Sequence, residues 1–233
     1  MKSQFFVTFA LLALAAVARA DDNVCDADDS GVERPCLDLD IDCIREYFLE
    51  HADCKAVDKA RDTAIYDLDY VSVNMPLFNV SYEAYENTVI YVDADIVEFT
   101  VNDNKKLAVL TVEFESVTMN SNNATWRYFQ TGKEPRDILT ETLVVFPSVS
   151  MNIYISTETW DLAGKRPFTY VNADPLLEIE GECLDYEDEV LTPFFKEFFE
   201  NLDDAAVEAW RYLGTPVGLQ YVQENICDFG VEY

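Results

Sequence analysis

The sequence predicts one α+β domain, an antiparallel β-meander packed on a long C-terminal helix with a cysteine-flanked helix ahead of it. Two observations predict it. Apolar residues recur at helical spacing near residue 45, alternate with period two through the centre, and return to helical spacing after residue 192. An asparagine- and aspartate-rich turn separates the two best alternating stretches.

Met1-Lys2, the apolar run Phe5 to Val17 and Ala18-Arg19-Ala20 have the order of a secretory signal peptide. The run is too short for a bilayer-spanning helix of roughly 20 residues, and Asp21-Asp22 follow at once, so no membrane anchor is expected. Residues 1–20 are therefore set aside, and 21–233 are expected to form the single domain. Residues 21–35 carry Asp, Ser, Gly and Pro without periodicity and read as an acidic arm. From Ile41 to about Lys59, Ile41, Ile44, Tyr47, Phe48 and Ala52 fall along one helical stripe. In Leu107–Thr118, Ala108, Leu110, Val112 and Phe114 alternate with more polar neighbours, which predicts a strand with one buried face. Thr88–Val101 precedes it across the turn Asn102-Asp103-Asn104, where Asn and Asp tolerate positive φ. Weaker strands are expected at 64–73, 126–131, 139–156, 168–171 and 176–182. Thr192-Pro193 supplies an N-cap oxygen and a proline at the first helical position. The resulting amphipathic helix is expected to stop at Gly214, with a shorter helix over Val217–Ile226.

Composition narrows the function. A formal net charge of −29 disfavours nucleic acid, whose phosphates need a basic face. With 13 Tyr and 15 Phe, the acidity belongs to the surface of a folded body rather than to a disordered chain. Cys25, Cys36, Cys43, Cys54, Cys183 and Cys227 are even in number, as disulfides in an oxidising compartment require, and sequence alone leaves their pairing open. Zinc fits poorly, since there is no Cys-x-x-Cys pair and His51 is the single histidine. Asn79-Val80-Ser81 and Asn123-Ala124-Thr125 are N-glycosylation sequons, and in a secreted chain both are expected to carry glycans.

No catalytic constellation stands out. Asp26-Ala27-Asp28-Asp29-Ser30-Gly31 imitates the start of an EF-hand loop, but Leu37 occupies the position of the bidentate glutamate, so the stretch reads as solvated acid. His51 lies off the helical stripe and has no nucleophile nearby in sequence. There is no Gly-x-Ser-x-Gly elbow and no Gly-rich phosphate loop, while abundant carboxylates prove nothing about glycosidase chemistry. A non-enzyme without metal or cofactor is expected. The aromatic residues Phe194, Phe195, Phe198 and Phe199, with Trp210, read as core or as a hydrophobic contact or ligand surface.

Three islands carry a resemblance. Arg34-Pro35-Cys36 with Cys43-Ile44 and Cys54, then Pro76-x-Phe78-Asn79-Val80-Ser81-Tyr82, then Ile226-Cys227-Asp228-Phe229-Gly230 resemble, in order, the fibrohexamerin family, the small glycoproteins of silk fibroin complexes. Val231-Glu232-Tyr233 departs from that pattern, which continues to another cysteine, and Cys25 is an addition upstream. The resemblance implies a secreted protein of the silk-gland lumen that associates non-covalently with fibroin heavy and light chain units and aids their secretion, solubility and assembly. The spacings of Cys36/Cys43 and Cys183/Cys227 are also similar to those of juvenile-hormone-binding and takeout-type lipid carriers, whose curved antiparallel sheet wraps a long helix. That likeness implies the pairs Cys36–Cys43 and Cys183–Cys227, leaving Cys25 with Cys54. It also implies the alternative function, extracellular carriage of a hydrophobic small molecule.

Overall fold

The computed structural model describes residues 31–57, 63–162, 167–180 and 189–231, all within one unit running from Gly31. In chain order they form β1 (Val32–Glu33), α1 (Ile41–His51), β2 (Lys55–Ala56), β3 (Thr63–Met75), β4 (Val80–Asn102), β5 (Leu107–Tyr128), β6 (Arg136–Phe146), β7 (Val149–Ser156), β8 (Phe168–Val171), β9 (Leu176–Glu180), α2 (Leu191–Glu200), α3 (Leu202–Asn225) and β10 (Cys227–Asp228). A 3-10 turn, Pro76–Phe78, joins β3 to β4. The signal-peptide segment, residues 21–30 of the acidic arm with most of its EF-hand-like stretch, Cys25 and Cys183 lie outside the described residues; the rest of the arm is not irregular as expected but carries β1, which pairs with Val101 and Asn102 of β4.

The long hairpin β4–β5 is the spine, paired from Val80↔Tyr128 to Asn102↔Leu107. Its strands exceed those expected from the sequence, and the weak strand at 126–131 is partly the end of β5. At about 3.4 Å per residue, 22 residues reach roughly 75 Å. Shorter strands line both edges. Along β4 lie β3 and, at the far end, β1. Along β5, β6 and β7 run in line, interrupted at Pro147-Ser148, and β9 and β8 flank them in turn. All these pairs are antiparallel. Val89, Tyr91, Leu110, Val112, Phe114, Val117, Met151 and Ile153 are all buried. The register shifts at Ile96/Glu98 and Ser121/Ala124, so each kink carries the alternation onward in a new phase.

The helices pack against the sheet. Phe194 of α2 stacks on Tyr128 at 4.4 Å and Phe198 meets Trp126 at 5.2 Å. In α3, Trp210 packs on Phe146 and Tyr221 on Tyr91 and Phe114. At the far end Phe48 of α1 packs on Phe99 and Trp160. Arg45 of α1 donates to the Asn225 carbonyl at 2.8 Å, tying α1 to the end of α3.

Three sequence expectations change. Helix α1 starts under an Asp40 cap, whose carboxylate accepts from the Asp42 and Cys43 N–H groups, but ends at His51 rather than near Lys59. Beyond Ala52 the chain turns extended so that β2 can pair with β10. The expected stop at Gly214 is a continuous helix, and the break falls earlier, at Asn201. There the asparagine side chain donates back to the Glu197 carbonyl at 2.7 Å, a local bond that competes with helix continuation. Through Gly214 and Pro216 the helix loses about 4 kcal/mol of propensity. Burial of Val217, Leu219, Tyr221 and Val222, at about 1.5–3 kcal/mol for a large apolar side chain, outweighs it. Gly214 serves close packing instead, since a Cβ there would sit 2.8 Å from Thr169 Cγ2.

The third change is covalent. Cys36 is joined to Cys43, pinning the start of α1 to the preceding loop. Cys227 is joined to Cys54, not to Cys183, and Cys54 is thereby taken from Cys25. The β2–β10 ladder explains it: pairing Cys227 with Ala56 brings the Cys54 and Cys227 Cα atoms to 5.8 Å, within bridging range.

Candidate functional site

Between the buried sheet face and the α2–α3 junction lies an apolar cavity. Val73 and Met75 come from β3, Tyr82 from β4, Met119 and Trp126 from β5, and Thr142, Val144 and Phe146 from β6. Its roof is Phe198 of α2 with Leu202, Ala205, Ala206, Ala209 and Leu213 of α3, and Pro175 and Leu177 close one side. The cavity exists because α3 presents alanines to a sheet whose facing residues are large. The cavity has a volume of about 50 Å³.

Polar groups are few. The Tyr82 hydroxyl is buried, which pushes its pKa up, opposed by hydrogen bonds from Ser121 and Thr142 that hold the hydroxyl in place. Trp126 is 3% exposed and its Nε1–H is buried without a hydrogen-bond partner. Beside the cavity, Asn87, Ser121 and Thr142 form a buried polar row across three strands. Asn87 donates to the Leu68 and Ala84 carbonyls while its own oxygen accepts from Ser121, so the row is satisfied beside Glu86, which takes a positive φ.

The residues anticipated as a ligand or contact surface separate. Phe198 lines the cavity. Phe194 and Phe195 are buried against each other and Tyr128, and Trp210 is wholly in the core. Phe199 is 45% exposed and faces away. His51 is exposed and stacks on Tyr47 at 4.2 Å, with Trp160 nearby, and among the described residues no nucleophile is hydrogen-bonded to it. No local pattern in the sequence singles out Tyr82, Trp126 or Thr142. The available signal was Ala205, Ala206 and Ala209 at helical spacing on an otherwise bulky apolar stripe. Asn79 and Asn123 are both exposed, the first left-handed at the end of the 3-10 turn, the second opposite Tyr85 beside the β5 bulge. Among the described residues no group of three or more His, Cys, Asp or Glu side chains is arranged to hold a metal ion.

No protein-family model matches the chain, and no curated protein sequence matches it. Among solved structures the chain is similar to the crystal structure of Epiphyas postvittana Takeout 1, at 12% identity, covering 80% of this chain and 88% of that one with a TM-score of 0.44. The two disulfides are consistent with an extracellular location, and among the described residues no helix is long and apolar enough to cross a membrane.

Proposed function

We propose that the chain is a secreted, non-catalytic carrier of a hydrophobic small molecule, bound between the sheet and the α2–α3 junction. The cavity carries this reading. Its lining is apolar except for Tyr82 and Thr142, whose hydroxyls bond to one another, and the Trp126 N–H. Leaving such a space empty costs about 1 kcal/mol at the ~24 cal/mol per Å³ found for engineered cavities, a cost that a ligand removes. Lipid-sized pockets are larger, roughly 300–1,000 Å³. Occupation therefore requires α2 to lift on the break at Asn201, away from the alanine face of α3. Native mass spectrometry of protein purified from its source, with organic extraction, is expected to reveal a stoichiometric apolar ligand. N-phenyl-1-naphthylamine should bind the stripped protein and be displaced by the extract. An empty source protein that also ignores the dye would refute the reading.

The other sheet face favours a second reading, association with fibroin heavy–light units. Ile65, Tyr70, Tyr85, Leu139, Phe168 and Leu176 are all exposed there, and Tyr70 packs on Tyr85 at 5.0 Å. Outward apolar side chains on edge strands suit a β-rich partner. Glycans at Asn79 and Asn123 would keep such a complex dispersed. Co-purification with fibroin chains from gland lumen, without reductant, tests it; recovery of the protein alone from haemolymph would overturn it.

A further inference from the structure

A second space, separate in its chemistry from the apolar cavity, lies on the flank of α3 beside the β3–β4 turn. Pro76, Glu208, Arg211, Tyr212, Thr215 and Pro216 line this groove of about 520 Å³. Glu208 is the unusual member. It is 7% exposed, and its Oε2 is buried without a hydrogen-bond partner. Its other oxygen accepts from the Leu77 N–H. Arg211 shares the groove, and its charge favours the ionised carboxylate, but no bond from it reaches Oε2. A buried carboxylate with an unfilled oxygen is destabilising until a donor meets it.

We propose that this groove binds a small protonated amine with an apolar body, its ammonium held by Glu208. A second acceptor stands one helical turn on: position 216 is proline, so α3 offers the Tyr212 carbonyl no N–H from that position. Thr215, in the same lining, adds a hydroxyl. The Pro76 and Pro216 rings provide apolar walls, and the half-exposed Tyr212 ring provides a face for cation–π contact. The chemistry selects among cations. Calcium needs six or more oxygen ligands, and Glu208 is the single carboxylate of the lining. A guanidinium prefers both carboxylate oxygens, and Leu77 already occupies one. An ammonium is a point donor suited to the remaining oxygen. The formal charge of −29 on the chain draws cations toward it.

Phenethylammonium chloride titrated calorimetrically into the full secreted chain at neutral pH tests the assignment, with 2-phenylethanol as the neutral match. Saturable binding of the amine and none of the alcohol is expected. Glu208→Gln keeps the Leu77 bond through its amide oxygen and should weaken amine binding roughly tenfold or more. Arg211→Gln removes the competing charge and should tighten binding severalfold. No saturable binding by the native chain, equal binding of amine and alcohol, undiminished binding by Glu208→Gln, or failure of Arg211→Gln to tighten binding would each overturn it. The Arg211 variant keeps the test decisive even if Glu208→Gln does not fold.

Discussion

Removing the Cys54–Cys227 disulfide should destabilise the protein far more than removing Cys36–Cys43. The perturbation is the double variant Cys54→Ala/Cys227→Ala, which leaves neither of the two thiols behind, set against Cys36→Ala/Cys43→Ala. The bridges span sequence separations of 173 and 7 residues. In the chain-entropy model these loops contribute about 5 and about 2.4 kcal/mol at 25 °C. The larger figure is comparable with the roughly 5–15 kcal/mol that holds a domain folded. It also ties the α1 end of the sheet to the end of α3, since β10 follows α3 directly and Cys227 is wholly buried. At about 2–4 °C per kcal/mol for a chain of this size, Tm should fall by roughly 10–20 °C in the first variant and 5–10 °C in the second. Circular dichroism melts and urea titrations give both numbers, and a non-reducing peptide map gives the connectivity. Equal or reversed losses would refute the loop argument. A Cys227 peptide linked to any cysteine other than Cys54 would refute the pairing itself.

Four further outcomes are expected. Burial pushes the Glu208 carboxyl up, against the opposing Leu77 bond and Arg211 charge, so the folded state holds that proton more tightly than the unfolded chain. Its contribution is therefore greatest below the unfolded value near 4.3 and declines as pH rises through the folded one. Glu208→Gln should accordingly stabilise the protein at pH 7 and give no gain near pH 3.5 in urea titrations; a gain independent of pH would contradict this. A Cβ at Gly218 would overlap Met151 Sδ, so Gly218→Ala should cost about 1–3 kcal/mol of overpacking, less about 1 kcal/mol of helix propensity. The loss should shrink in a Met151→Val background; a cycle showing no coupling would place the clash elsewhere. Ala206→Val adds methyls to the cavity roof and should raise stability by up to about 1 kcal/mol while weakening naphthylamine binding; unchanged dye binding would move the ligand site. Amidase treatment of the source protein should remove glycan mass from peptides containing Asn79 and Asn123, and unshifted peptides would show those sequons unused.

The α+β class, the central hairpin and most element positions were legible because they rest on signals a few residues long. Alternation over Leu107–Thr118 and the nearby Asn- and Asp-rich turn place β5 and its approach, although the positive φ falls on Lys106 rather than on Asn102, Asp103 or Asn104. The start of α2 near Thr192-Pro193 was legible to within a residue, but its cap was not: the helix begins at Leu191 and the N-cap is Val190, without a side-chain cap bond, so Thr192 and Pro193 are its second and third residues. Local stop signals misled at Gly214 and Pro216, where burial of the following turn exceeds the propensity cost. Cysteine spacing suggested a partner for Cys227, but the β2–β10 ladder brings Cys54 beside it. The cavity is likewise a difference between the volume α3 supplies and the volume the sheet face demands, and strands β3, β4, β5 and β6 all enter that sum. In the sequence Glu208 is one acid among 45; its buried, unfilled oxygen is visible only with the β3–β4 turn folded over α3. Sequence by itself determined what each segment does with its neighbours along the chain. Tertiary structure decided the disulfide partners, the empty volume and the orphaned charge, because each depends on groups that only folding brings within a few ångströms.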